Sequence, residues 1–241
     1  MQDVLTQLSV TYLVAFLIMR KSVSFQIIFT LVILLLTDLA YRFFPVEDFN
    51  QPWVVYHNLG AWVNNQLEGV SESPWASINA IPTIAHTVWG VLFGKLLLSD
   101  RTVTKKIQIM IITGVTTLII GYSLDYLTPI IKKIATSSFV FASGGWTILA
   151  LCFCYWLIDV RKLFNVGSRM FIIVGMNCIF IYLFFETGGS SLLSKIFNPF
   201  TSSLFSRGGA LLVGIINSLA VWASLWYICY WLYKNRLFIK I

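Results

Sequence analysis

Long apolar runs alternate with short polar connections along the whole chain. Seven of these runs have the composition of helices that cross a bilayer, although the first is short for a span. They lie at about 4–19, 23–43, 78–98, 104–125, 137–160, 168–188 and 209–233. A spanning helix needs about 20 apolar residues to cross about 30 Å of hydrocarbon. The pattern therefore predicts an all-α integral membrane protein, a bundle of about seven transmembrane helices that forms one domain over residues 1–241.

Two connections, 44–77 and 189–208, are long enough to hold helices of their own. The first carries apolar residues at helical spacing, namely Leu59, Trp62, Val63 and Leu67. The second carries apolar residues among serines, namely Leu192, Leu193, Ile196, Phe197 and Phe200. Each pattern predicts a short amphipathic helix that lies in the membrane interface.

The composition agrees with a membrane location. Hydrophobic residues make up 58% of the chain and charged residues only 11%, whereas soluble domains have about 25% charged residues. These values exclude a soluble globular enzyme and a disordered chain. The four cysteines all fall inside apolar runs and lack metal-ligand spacing, so we expect small buried hydrophobic residues and no metal site.

The net charge of +7 reflects 17 basic residues, which cluster at the ends of the apolar runs. Membrane topology explains this placement better than nucleic-acid binding does. If the N-terminus is outside, twelve of the 17 basic residues fall on the inner side. We therefore expect a cytoplasmic C-terminus, with the N-terminus and both long connections outside, in a bacterial inner membrane. The bilayer is the expected partner; the oligomeric state stays open and is compatible with a dimer.

Polar side chains inside the spans are the first candidates for a site. His86 lies about 12 Å below the outer surface at 1.5 Å per residue. Asn217 lies at a similar depth, Asn177 lies near the middle of the sixth span, and Asn79 lies at the start of the third. Such groups either bond across packed helices or line a polar cavity for substrate, and the sequence leaves both readings open.

Acidic residues at the outer ends of the spans form a second group of candidates. Asp38 and Arg42 lie four residues apart, a spacing that permits an ion pair along one helix. Asp125 and Glu186 close the fourth and sixth spans. These two carboxylates either mark the membrane interface or face a substrate.

A basic cluster occupies the inner connection between the third and fourth spans. It consists of Lys95, Arg101, Lys105 and Lys106. Attraction to lipid headgroups and topology would explain it, and so would a site for the phosphates of a cytosolic cofactor. In the same region Gly90 precedes Gly94 at the spacing of a helix-packing motif, which predicts a close helix contact.

Four stretches of the chain resemble one known family. The opening VLTQLSVTYLV resembles a "VLQRxxxxYxxxA" helix, and the run from Ile78 to Lys95 resembles "PAIxTxxxGxxxGK". The run from Thr136 to Trp146, continued by YWLIDV, resembles "TSSYVLFTAGWALLLLALFYWLIDV". The GMN segment ending at Asn177 and the final FIKI resemble the last part of the same pattern. Together they are similar to the transmembrane N-acetyltransferases related to heparan-α-glucosaminide N-acetyltransferase.

The resemblance implies an activity and an orientation. Such proteins transfer an acetyl group from cytosolic acetyl-CoA, as co-substrate, to an amino sugar or glycan on the far side of the membrane. Their C-terminus is cytoplasmic, in agreement with the distribution of basic residues. The polar groups His86, Asn79, Asn177 and Asn217 would then line the cavity, and the basic cluster would face CoA.

The chain also departs from the family pattern. It begins at what resembles the fifth of about eleven family spans, so the segment that bears the family's catalytic histidine is absent from it. His86 therefore does not receive that role, and no catalytic residue is assigned. We expect Met1 to be an internal methionine of a longer protein, with a degenerate remnant as the alternative. A small-molecule transporter or flippase and a non-catalytic scaffold remain competing functions.

Overall fold

The computed structural model describes residues 4–69, 73–163 and 165–238. Every regular element in this part of the chain is helical, which confirms the all-α fold. Five helical segments of the described chain are long and apolar enough to cross a membrane, and a bent pair makes a sixth if it counts as one span. The chain is thus an integral membrane protein built from a helical bundle.

Ten α-helices make up the described fold. Their bounds are α1 Val4–Ile18, α2 Val23–Arg42, α3 Leu59–Glu68, α4 Ala80–Leu98, α5 Val103–Leu124, α6 Ser137–Cys154, α7 Asn165–Gly175, α8 Cys178–Glu186, α9 Gly189–Phe205 and α10 Gly209–Lys234. A π-helical turn, Tyr155–Val160, extends α6. Most predicted spans agree with these bounds within a few residues; α1, at 15 residues, is the short one.

One predicted span is broken. The helix expected over 168–188 consists of α7 and α8, which meet at an angle of 64°. The backbone of Asn177, between them, has φ −127° and ψ 32°, which is not helical. Glycine and asparagine are weak helix formers, and Gly175 ends α7 immediately before this point. Apolar composition alone cannot predict the break, because it reports burial and not backbone conformation.

The contacts divide the chain into two compact units, one up to Val160 and the other from Arg161 onward. The single domain expected from the sequence stays a prediction.

In the first unit, α5 and α6 form a hairpin whose backbones touch. A Cβ atom built at Gly121 would lie only 2.5 Å from the backbone N of Ala142. One built at Gly145 would lie 2.8 Å from the carbonyl O of Gly114. These contacts leave no room for side chains, so the glycines permit the close approach of the two helices.

The predicted packing role of Gly90 and Gly94 is wrong. A Cβ atom at either glycine would meet nothing within 4 Å in the described part of the chain. The close contact of α4 lies on another face, where Ile84 and Val88 pack with Ala15 of α1. Spacing alone does not indicate which helix face is turned to a neighbour.

Helix α1 runs parallel to α4, and α2 and α5 run in the opposite direction. The ammonium group of Lys95 in α4 donates to the carbonyl O of Met19, just beyond the end of α1. The amide Nε2 of Gln26, which is fully buried, donates to the same carbonyl at 3.2 Å and to that of Lys21 at 2.8 Å. We call this end of the unit the basic end.

The opposite end, the loop end, carries α3. Asn58 caps α3 by accepting from the backbone N of Ala61 at 3.1 Å. Asn64 donates to the carbonyl O of Trp75 at 2.7 Å and accepts from the backbone N of Ser77 at 2.9 Å. The helices expected in the two long connections are therefore present as α3 and α9, and their place in the membrane interface stays a prediction.

In the second unit, α10 packs against α9 and α7. The amide Nδ2 of Asn217 in α10 donates to the hydroxyl of Ser194 in α9 at 2.7 Å. The indole N–H of Trp226 donates to the carbonyl O of Met170 in α7 at 3.4 Å. Interhelical hydrogen bonds of this kind replace the hydrophobic driving force that helices lack inside a bilayer.

Candidate functional site

A cavity of about 450 Å³ lies in the first unit and reaches the basic end. We call it the basic-end cavity. Its walls come from α2, α4, α5 and α6, and they are mostly apolar. The polar residues of its lining are Thr30, Lys95, Ser99, Arg101, Thr113 and Thr117. Volumes of about 300–1,000 Å³ with a few placed polar groups are typical of small-molecule sites.

A second cavity of about 350 Å³ lies nearer the loop end, and we call it the loop-end cavity. Its apolar walls come mainly from leucines of α2 and the end of α5. Its polar lining consists of Asp38, Arg42, Thr128 and Ser137.

The linings of the two cavities share two residues. Leu31 of α2 and Phe141 of α6 line both of them. The other α2 residues of the basic-end cavity precede Leu31, and those of the loop-end cavity follow it. The cavities are therefore consecutive along α2, with these two apolar side chains at the boundary.

The depth of the basic-end cavity follows from its helices. On α2 its lining extends from Val23 to Leu31, and on α5 from Ile109 to Thr117. Eight residues of α-helix correspond to about 12 Å. The cavity thus extends about 12 Å from the basic end toward the boundary.

The four basic candidates have different positions. Lys95 and Arg101 line the basic-end cavity. The ammonium group of Lys106, only 9% exposed, donates to the carbonyl O of Leu97 at 2.7 Å and so completes the end of α4. Lys105 is exposed and is not part of the cavity lining. Two of the four residues therefore face a cavity.

An ion pair anchors the polar end of the loop-end cavity. The Nε of Arg42 donates to Asp38 Oδ2 at 2.6 Å, which confirms the helical pair expected from their spacing. The Nη2 of Arg42 donates to the hydroxyl of Thr128 at 2.6 Å, and that hydroxyl donates to Asp38 Oδ1 at 2.8 Å. Ser137 approaches the same carboxylate oxygen at 3.4 Å. The guanidinium also lies 5.3 Å from the ring centroid of Trp53.

The Thr-Ser-Ser run that contributes to the family resemblance begins α6 beside this ion pair. Thr136 caps the helix by accepting from the backbone N of Phe139 at 3.4 Å, and its hydroxyl donates to the carbonyl O of Pro129 at 2.8 Å. Ala135, just before the run, has φ 51°, in the left-handed region. This sharp turn places Ser137 in the lining of the loop-end cavity.

His86 joins two helices. The hydroxyl of Ser143 in α6 donates its one hydrogen to the carbonyl O of Phe139 at 2.6 Å. The Nε2 of His86 in α4, 3.0 Å from that hydroxyl, is therefore the donor of the second bond. His86 is not part of the lining of either cavity. These contacts agree with the interhelical reading of His86.

The other polar candidates are not among the residues that line the two cavities. Asn79, which is 3% exposed, donates from Nδ2 to the carbonyl O of Lys133 at 3.3 Å and ties the loop end together. Asn177 is fully buried at the break between α7 and α8, and Asn217 bonds Ser194 in the same unit. A cavity shared by all four predicted polar residues stays a prediction.

The remaining acidic candidates are exposed. Asp125 accepts from the backbone N of Ile130 at 2.8 Å and stabilises the turn after α5. Glu186 ends α8. Within residues 4–69, 73–163 and 165–238, no group of three or more His, Cys, Asp or Glu side chains is placed to hold a metal ion.

The sequence did not indicate several residues of the cavities. Thr113 and Thr117 share one face of α5, but hydroxyls in apolar runs are common because they bond their own helix, as Thr117 does to the carbonyl O of Thr113 at 2.9 Å. Thr128 and Ser137 join Asp38 from 90 and 99 residues away. Only the tertiary fold brings them to the carboxylate.

No family model, curated protein or solved structure matches the chain. The chemistry of the site therefore follows from its own side chains. They form two consecutive cavities, with cationic groups at the first and an ion pair surrounded by hydroxyls at the second.

Proposed function

We propose that the chain is a membrane-embedded acyltransferase, or the C-terminal portion of one, that transfers an acetyl group from cytosolic acetyl-CoA to an amino sugar or glycan across the membrane. The observation that carries the proposal is the pair of cavities whose linings share Leu31 and Phe141. A donor that enters one cavity and an acceptor that enters the other would meet at this boundary.

The basic-end cavity suits the shape of acetyl-CoA. Between its pyrophosphate and its sulfur, CoA has an arm of twelve bonds, which spans about 14 Å at the 1.2 Å per bond of an extended chain. With the phosphates at Lys95 and Arg101, this arm reaches the boundary of a cavity about 12 Å deep. The hydroxyls of Thr113 and Thr117 offer acceptors for the two amide N–H groups of the arm.

The loop-end cavity suits a polar acceptor. The carboxylate of Asp38 is shared among one guanidinium and two hydroxyls, and its side chain is still 16% exposed. A sugar hydroxyl can replace a weakly bound partner of Asp38, such as Ser137 at 3.4 Å, and donate to the carboxylate in its place. Asp38 and Ser137 are therefore the acceptor-binding residues of the proposal.

The reaction itself is an exchange of one acyl bond for another. The amine nitrogen of the acceptor forms a bond to the thioester carbonyl carbon, and the carbon–sulfur bond breaks. The amine loses one proton, and CoA leaves with the electron pair of the broken bond and takes up a proton as the free thiol. No residue of this chain is assigned as the base that removes the amine proton.

Transfer across a sealed membrane tests the proposal. The protein purified from its own membranes is reconstituted in liposomes that contain glucosamine, and labelled acetyl-CoA is added outside. We expect labelled N-acetylglucosamine inside the liposomes. Lys95→Gln should raise the KM for acetyl-CoA about tenfold or more, because a hydrogen bond to a charged group contributes about 1.5–3 kcal/mol. The matched control, Lys105→Gln, lies outside the cavity lining and should change KM less than twofold.

A transporter or flippase is the second candidate, since one of its features is present. The broken span formed by α7 and α8, with buried Asn177 at the break, is typical of transporters whose substrate binds at a discontinuous helix. This function predicts flux of substrate without any acyl-CoA in the same liposomes. Stable, folded protein that shows neither transfer nor flux would favour the non-catalytic scaffold and contradict both proposals.

A further inference from the structure

We propose that Leu31 and Phe141 form a partition between the two cavities and that this partition limits the size of the acyl group that is transferred. The existence of the partition rests on the cavities alone, whereas its role in acyl selection rests on the proposed function. Both side chains line both cavities, so they lie where the two linings adjoin. We name this pair the partition.

Phe141 is the fixed half of the partition. It is 9% exposed and belongs to a core cluster with buried Leu34, Ala85 and Val140. The ring of Trp89 packs against it, with 5.5 Å between the ring centroids. Because Phe141 is held by three helices, its position depends on the packing of the whole unit.

Trp89 is itself held from two sides. Its indole N–H donates to the hydroxyl of buried Thr30 in α2 at 3.2 Å. Its six-membered ring lies against Gly144 of α6, where a Cβ atom would come within 2.5 Å of Cζ3. The absence of a side chain at Gly144 therefore sets how closely Trp89, and with it Phe141, approaches the boundary.

Leu31 is the half that can be changed at low cost. Its side chain is 45% exposed, so truncation to alanine removes little buried surface. The neighbouring Leu36 of α2, 59% exposed, lines neither cavity and provides a matched control. Leu31→Ala removes three carbon atoms from the partition, while Leu36→Ala makes the same chemical change away from it.

An acyl-chain series tests selection. Transfer is measured with acetyl-, butyryl- and hexanoyl-CoA under the conditions described above. In the unaltered protein we expect kcat/KM to fall about a hundredfold or more from acetyl to butyryl, which has two more methylenes, since a site discriminates about 10–200-fold per methylene. Leu31→Ala should extend the accepted chain by two to three carbons, and Leu36→Ala should leave the series unchanged. An unchanged series in Leu31→Ala would overturn the role of the partition in acyl selection.

Cysteine labelling tests the partition without any activity. Cysteine is placed at Thr113, in the basic-end cavity, or at Leu35, in the loop-end cavity, after replacement of exposed Cys154 and Cys178 by serine. A small membrane-impermeant thiol reagent is then applied to sealed vesicles of either orientation. We expect each cysteine to react from one face only, and Leu31→Ala to make the reaction from the other face at least about tenfold faster.

The outcomes separate the two proposals. If both cysteines react from both faces while Leu31 and Phe141 are unchanged, the proposal of a partition is wrong. If labelling is one-sided and Leu31→Ala makes it two-sided, the partition is established. If no acyl transfer is found in the same protein, the partition still stands and the acyltransferase is the proposal that fails. A second variant, Gly144→Ala, displaces Trp89 and should also let each cysteine react from both faces. Gly90→Ala is its control and should leave the labelling one-sided.

Discussion

The contact between α5 and α6 leads to a sharp prediction for stability. In Gly121→Ala the new methyl group would lie 2.5 Å from the backbone N and 2.8 Å from the Cα of Ala142. Carbon atoms that are not bonded to each other normally stay about 3.5 Å apart, so the helices must separate by about 1 Å. The atoms in the way belong to the backbone and cannot rotate aside, and overpacking of this kind costs about 1–3 kcal/mol.

A second glycine isolates the packing cost. Gly90→Ala also replaces glycine by alanine inside a helix, and a Cβ there would meet nothing within 4 Å in the described chain. Both variants gain up to about 1 kcal/mol from the higher helix propensity of alanine. The difference between their free energies of unfolding is therefore the packing cost alone, about 1–3 kcal/mol in favour of Gly90→Ala.

Unfolding by SDS in mixed micelles, followed by circular dichroism, measures this difference. We expect the midpoint of Gly121→Ala to fall well below that of the unaltered protein, and that of Gly90→Ala to stay level or rise. Gly114→Ala should be intermediate, because the atoms nearest its Cβ are side-chain carbons of Leu149 at 2.7 and 2.8 Å, which can move. Equal midpoints for Gly121→Ala and Gly90→Ala would refute the backbone contact between α5 and α6.

Three further substitutions test the polar contacts of the first unit. Gln26→Leu removes both hydrogen bonds that hold the turn after α1, and an SDS titration should show a loss of about 1–3 kcal/mol. Asn64→Ala frees the segment before α4, so limited proteolysis from the loop end should cut near residues 73–76 sooner, with Gln66→Ala, an exposed change on the same helix, as control. Lys106→Met keeps the buried apolar stem of the side chain but removes the ammonium group that binds the end of α4. Amide hydrogen exchange should therefore accelerate in the last turn of α4 only. Uniform acceleration along the chain would contradict the capping role.

The spans were predictable because their signal is local. An apolar run of about 20 residues must satisfy its backbone internally, so hydropathy locates the helix and its ends with little help from the rest of the chain. The ion pair of Asp38 with Arg42 depends on a separation of four residues, and the sequence indicates such a contact directly. The break at Asn177 gives no comparable signal, because the run around it stays apolar.

The site could be predicted only in part, since a cavity depends on which helix faces meet. The basic cluster was visible, but its separation into Lys95 and Arg101 at the cavity and Lys106 at the end of α4 follows from the fold. Leu31 and Phe141 have no feature that distinguishes them from the other apolar residues of their helices. Their shared place in both linings brings together residues 110 positions apart in the chain, which no local pattern contains.

The ends of the spans have a consequence for the order in which the protein assembles. The carbonyl of Met19, just beyond α1, accepts from Gln26 seven residues later and also from Lys95, 76 residues later. The carbonyl of Leu127, just beyond α5, accepts from Arg42, made 85 residues earlier. An unsatisfied carbonyl is costly in hydrocarbon, and Gln26 supplies a donor to the end of α1 as soon as the start of α2 has been made, so Lys95 of α4 adds only a second donor. The carbonyl after α5 meets Arg42 already in place. The polar backbone at the turn between α1 and α2 is thus satisfied within that hairpin, before α4 is made.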